Sequence, residues 1–116
     1  MEWQEIVNRD DIVGGDIEAQ ECGDVYRGPI ESITIDGDMV IIKSAWMAKL
    51  PNGLHGSGEW EKWGITQLVF NAKFIKPQDI GSGRIFFQMP TLGVATIFPK
   101  GGSKLDPAKV KGLETD

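Results

Sequence analysis

The sequence predicts a mainly β domain: a small antiparallel barrel or strongly bent sheet of about six strands, closed by one short C-terminal helical turn. Three observations predict it. Fifteen Gly and six Pro in 116 residues supply many tight turns and leave little room for long helices. Apolar and polar residues alternate over several short runs, the period of a half-buried strand. Two such runs flank Asp36-Gly37-Asp38, where Gly37 can take the positive φ that a hairpin loop requires.

The first segment is open, since Trp3, Ile6 and Val7 fit helical spacing while Trp3, Glu5 and Val7 would alternate on a strand. A strand is expected after Gly14-Gly15-Asp16, with Ile17 and Ala19 alternating against Glu18 and Gln20 up to a turn at Gly23-Asp24. Pro29 donates no ladder hydrogen bond and is expected to open the next strand. A three-residue Asp36-Gly37-Asp38 loop would put Ile33, Ile35, Met39 and Ile41 on one face and set Glu31 opposite Lys43. The alternative two-residue loop would pair Ile35 with the charged Asp38. Residues Pro51 to Gly58 read as a loop leading into Glu59-Trp60-Glu61-Lys62-Trp63-Gly64. Thr66 to Lys76 reads as one strand with Leu68, Phe70, Ala72 and Phe74 on a single face. Arg84–Met89 and Val94–Phe98 form a second hairpin, with Ile85, Phe87 and Met89 alternating against Phe86 and Gln88. Near the end, Asp106 suits an N-cap, Pro107 the first helical position and Lys109 the last turn. No repeat or linker interrupts residues 1–116, so one domain is expected.

Gly15-Asp16-Ile17-Glu18, Tyr26-Arg27-Gly28-Pro29-Ile30-Glu31-Ser32-Ile33 and Gly37-Asp38-Met39-Val40-Ile41 together resemble the opening strands of SH3-like small barrels of the Tudor and KOW type. A Tudor-like resemblance implies an aromatic cage for a methylated cation, with Tyr26, Trp46 and Trp60 as its walls. A KOW-like one implies nucleic acid binding.

Charge argues against the second. Twelve basic against seventeen acidic residues leave a net charge of −5, which repels phosphate backbones and anionic lipid. No run of eighteen apolar residues and no signal-like N-terminus is present, and Cys22 is the single cysteine. The expectation is a cytoplasmic protein without cofactor or metal: Asp36-Gly37-Asp38 is too short for a calcium loop, and Gly81-Ser82-Gly83-Arg84 lacks the lysine of a phosphate loop.

Chemistry-bearing residues concentrate in one stretch. Trp46, Trp60 and Trp63 bracket the Gly-rich loop, where indole faces can stack on a ligand or anchor a partner, and Glu59 and Glu61 stand ready to accept hydrogen bonds. His55 is the one side chain whose ordinary pKa lies near neutrality. The expected function is therefore a non-catalytic module that binds a small molecule or protein through Trp46, His55, Glu59, Trp60, Glu61 and Trp63, with homodimerisation compatible. The alternative is a small acid-base lyase, isomerase or hydrolase using His55 with Glu59 or Glu61 at a barrel mouth.

Overall fold

The computed structural model describes residues 1–51, 58–89 and 93–113. Its backbone is mainly β, in ten strands rather than six. One helix, α1 (Trp3–Val7), precedes β1 (Asp16–Glu21), β2 (Asp24–Asp36), β3 (Met39–Ser44), β4 (Met47–Leu50), β5 (Trp60–Trp63), β6 (Gln67–Asn71), β7 (Gln78–Gly81), β8 (Arg84–Met89), β9 (Gly93–Phe98) and β10 (Val110–Lys111), the last entered through a 3-10 turn at Pro107–Lys109. The sheet stays open, and the expected barrel does not close among the described residues. Strand order is β10-β5-β4-β2-β1-β9-β8-β7, with β3 and β6 branching from β2.

Strand β2 creates that branch. Its first half pairs with β1 and β4, its second half with β3, and the register shifts between Ile30 and Ser32 where it passes from one sheet to the other. Pro29 therefore lies inside β2 and does not open it. Pairing with β4 ends at Arg27 and pairing with β3 begins at Ile30, so the missing N–H of Pro29 falls in the gap. At Gly28 an added Cβ would stand 2.2 Å from the Trp46 carbonyl oxygen and 2.6 Å from Ser44 Oγ, so only Gly lets the β3–β4 connection cross the bend.

The β2–β3 hairpin has neither expected register. Asp36 faces Met39 across a two-residue Gly37-Asp38 loop, and Gly37 at φ +61° holds the first central position, where a twist-matched hairpin loop wants Gly. Every β3 side chain is thereby shifted by one residue. Val40 and Ile42 turn inward against Ile35 and Ile33, Met39 and Ile41 stay half-buried outside, and Lys43 faces Ser32 rather than Glu31. The expected strand over Thr66–Lys76 also ends early. Asn71 Oδ1 accepts from the Lys73 backbone N–H at 2.8 Å, a side-chain turn that leaves Phe74 78% exposed and swings Ile75 inward. The exposed four-residue strand β7 follows it, where no strand was expected.

The open N-terminal question resolves as a helix because its one apolar stripe has a core to meet. Trp3 and Ile6, three positions apart, are both buried. Trp3 packs against Phe70 and Phe87 with ring centroids 4.9 and 5.0 Å away, and its Nε1–H donates to the Ile75 carbonyl at 2.8 Å. Phe70 meets Phe87 at 5.0 Å, so the inner faces of the two sheets share one core. Beyond the helix, Arg9 pairs with Asp11 at 2.7 Å and donates to the Gly83 carbonyl, while the Asp11 carbonyl accepts from Lys100 N–H. No described helix is long and apolar enough to cross a membrane.

Two outcomes follow from these contacts. Gly28→Ala should lose about 3 kcal/mol in urea unfolding, whereas Gly64→Ala, with nothing within 4 Å of the added Cβ, should change stability by less than about 0.5 kcal/mol. Hydrogen bonding to Arg9 holds the Asp11 carboxyl below its ordinary pKa, so its contribution is present at neutral pH and is lost as pH falls through the depressed folded value. Asp11→Asn should therefore be less stable than wild type at neutral pH by about 0.5 kcal/mol, the value for a solvent-screened pair. The difference should close in acid unfolding series once the carboxyl is protonated.

Candidate functional site

The tryptophan-rich segment is a strand, and that decides what its side chains can do together. On β5, Trp60 and Trp63 are three residues apart and so emerge on opposite faces of the sheet. Trp63 lies opposite Met47 on β4, and Glu61 opposite Lys49. On this inner face Trp63 meets Tyr26 with ring centroids 5.5 Å apart. Lys49 Nζ sits 4.6 Å above the Trp63 ring and 5.8 Å from that of Tyr26, and it is 3.5 Å from Asp24.

Beside that pair is a hollow of about 130 Å³ between β1, β2, β4 and β5 on one side and β6 on the other. Ala19, Tyr26, Met47, Trp63, Ile65 and Leu68 wall it, and among the described residues Glu21 is its single charged lining residue. Ile65, in the link from β5 to β6, is 54% exposed at this hollow.

The opposite face carries a second, separate apolar cluster. Ala48, Leu105 and Val110 are buried there against Trp46, Trp60 and Leu113. The chain after β9 supplies half of it by folding back over the sheet. Asp16 ties it down: its Oδ2 accepts from Leu105 N–H at 2.8 Å and from Arg27 Nε at 3.0 Å. Arg27 also reaches Glu18 at 3.2 Å, donates to the Ser103 carbonyl and stacks 4.4 Å from the Phe98 ring centre. Asp16 is 1% exposed, and its Oδ1 accepts no hydrogen bond from the described protein atoms.

The expected site residues thus divide. Trp46 and Trp60 share the outer cluster, Trp63 belongs to the inner hollow, and Glu61 lies half-buried on the Trp63 side of β5. Glu59 is exposed just before β5. His55 falls within 52–57, outside the described residues, and with it the acid-base pairing to Glu59 or Glu61. The cage walls implied by a Tudor-like chain separate as well, because Tyr26 packs on the main core while Trp46 and Trp60 pack on the other face. Among the described residues no three His, Cys, Asp or Glu side chains form a group able to hold a metal ion. Sequence reasoning missed Met47, Ile65 and Leu68 at the hollow and the Asp16–Arg27–Glu18 cluster, since each depends on which strands become neighbours.

No protein-family model matches the chain, and neither a curated protein nor a solved structure is similar to it. Residue geometry therefore carries the functional reading alone.

Asp16 makes the fastening of the C-terminal segment testable. Asp16→Asn removes the negative charge from a buried pair while keeping an acceptor for Leu105, and Glu18 still faces Arg27. The loss should be about 2 kcal/mol in urea unfolding, below that of a pair left wholly without a partner. Leu105 and Val110 amide protons should lose hydrogen-exchange protection first.

Proposed function

We propose that this domain is a non-catalytic interaction module that receives one apolar side chain of a partner protein in the hollow beside Trp63. The observation that supports this is the hollow itself, apolar, already formed and about 130 Å³ in volume. That is close to a cavity that takes one benzene-sized group, and well below the roughly 300–1,000 Å³ of sites built for drug-sized ligands. A Leu, Met or Phe side chain matches it. Aromatic walls in a desolvated recess are also the usual seat of binding energy at protein interfaces.

Charge supports the choice of partner. Glu21 lines the hollow, Glu61 lies on the Trp63 face of β5, and the chain is acidic overall at −5. A partner segment with a basic residue next to its apolar anchor gains attraction and faster encounter from that field. Lys49, paired with Asp24, keeps the Trp63 indole in place as a rigid wall. The passage of β2 from one sheet to the other supports an SH3-like reading of the layout, and the single cysteine supports a reducing, cytoplasmic setting.

N-acetyl-leucine amide and N-acetyl-phenylalanine amide serve as side-chain probes in an NMR titration of the full chain. Both should shift the Trp63 indole N–H and the Met47, Ile65 and Leu68 methyl signals in a saturable way. Ile65→Asp puts a charge at an exposed position of the lining, where folding tolerates it, and should weaken the probes at least about tenfold, or 1.4 kcal/mol. Shifts that avoid these signals, or that survive Ile65→Asp unchanged, overturn the proposal.

A further inference from the structure

We infer that the outer groove of Trp46, Ala48 and Trp60 is an exchange site for the C-terminal arm, residues 103–113, and that its partner is the same arm of a second copy of this chain. Four observations carry the inference.

The arm is a unit that largely satisfies itself. Asp106 Oδ1 caps Ala108 N–H at 2.9 Å, Lys109 N–H donates to the Asp106 carbonyl at 3.0 Å, and Leu113 N–H to the Val110 carbonyl at 3.3 Å. It can leave the sheet without abandoning its own turns.

Its attachments are few and peptide-like. Leu105 and Val110 enter a cluster separate from the main core, and β10 adds to the edge of β5 in parallel over two positions, Val110 beside Trp60 and Lys111 beside Glu61. Arg27 and Asp16 hold the backbone at Ser103 and Leu105. This is how a sheet edge receives a foreign strand: main-chain pairing combined with side-chain pockets.

A hinge precedes the arm. Pro99 is buried, and Lys100 N–H is fixed to the Asp11 carbonyl at 2.6 Å, so the body ends there. Gly101 follows at φ +90° with nothing within 4 Å of an added Cβ, and Gly102 comes next, its N–H turned back to the Pro99 carbonyl at 2.9 Å. Two successive glycines let the arm leave in another direction for the loss of that one turn hydrogen bond.

Occupancy and charge point to the same partner. Among the described residues, 103–113 are the segment whose side chains fill the groove, and a second copy presents them identically. They carry three lysines against one aspartate, while the whole chain stands at −5. A positive arm is attracted to the acidic body of either copy. Reciprocal exchange then builds a two-fold dimer in which each groove is completed by the other chain.

In one chain the arm competes at an effective concentration of about a millimolar, so the exchanged dimer stays minor in dilute wild-type protein. Deleting Gly101 and Gly102 shortens the reach by up to about 7 Å and removes this advantage. Light scattering on the deleted full-length chain should show twice the monomer mass at concentrations where wild type is monomeric. In a mixed sample of labelled and unlabelled chains, Val110 methyls should give intermolecular contacts to the Trp60 indole. A folded monomer, or a dimer without those contacts, overturns the inference. Should the deletion prevent folding, the wild-type chain decides by titration with a fluorescent peptide of residues 103–113. Saturable binding with an apparent Kd near a millimolar, absent for a scrambled peptide, supports exchange, and equal or absent binding overturns it.

Discussion

Along its thirteen residues β2 has to satisfy three different neighbours, and the rest of the structure is arranged around how it does so. Its first half shares the larger sheet with β1 and β4; its second half leaves that sheet for β3. A strand can make such a passage only where its ladder is interrupted, and Gly28-Pro29 interrupts it in two ways at once. Gly28 removes a side chain where the Trp46 carbonyl crosses, and Pro29 removes a donor where neither β4 nor β3 is present to accept. The bend folds the smaller sheet back over the larger one. Phe70 and Phe87 meet only because of it, and Trp3 then has a core end to close.

The bend also makes the hollow. Leu68 comes from β6, which reaches the site through β3, while Met47 and Trp63 arrive through β4 and β5. Both paths begin on β2, so the gap between their ends is what remains when an open sheet folds on itself without closing. From β1, Ala19 supplies only a methyl group to the lining, and Glu21 supplies its charge. The cost of leaving apolar walls uncovered is moderate, because the recess is small and is flanked by Lys49 packed on Trp63 and Tyr26.

Local features were legible in the sequence, and pairing was not. The alternation of Ile85, Phe87 and Met89 and the capped turn at Asp106-Pro107 depend on neighbours within a few residues, and the structure shows both. The β2–β3 register needed one more fact. Asp36, Gly37 and Asp38 allow several loops, and what separates them is whether Val40 and Ile42 or Met39 and Ile41 meet the opposite sheet. Asn71 ended β6 through its own side chain, inside a run whose apolar spacing continued to Phe74. Trp60 and Trp63 misled in a similar way. Close in sequence, they read as one aromatic surface, but once Glu59 to Gly64 is extended, a spacing of three places them on opposite sides.

That separation gives β5 its particular position. Its inner face supplies Trp63 to the hollow, its outer face supplies Trp60 to the arm's cluster, and its edge pairs with the arm at Trp60 and Glu61. One four-residue strand thus serves both surfaces. An edge strand this short gains much of its order from whatever lies on either side of it, and β4 alone provides one side. When the arm is seated, from the same chain or from a second one, the backbone that carries Trp63 is held on both edges. Withdrawal leaves it held on one. A partner side chain entering the hollow, as proposed, would meet a Trp63 wall whose strand the seated arm holds on its second edge.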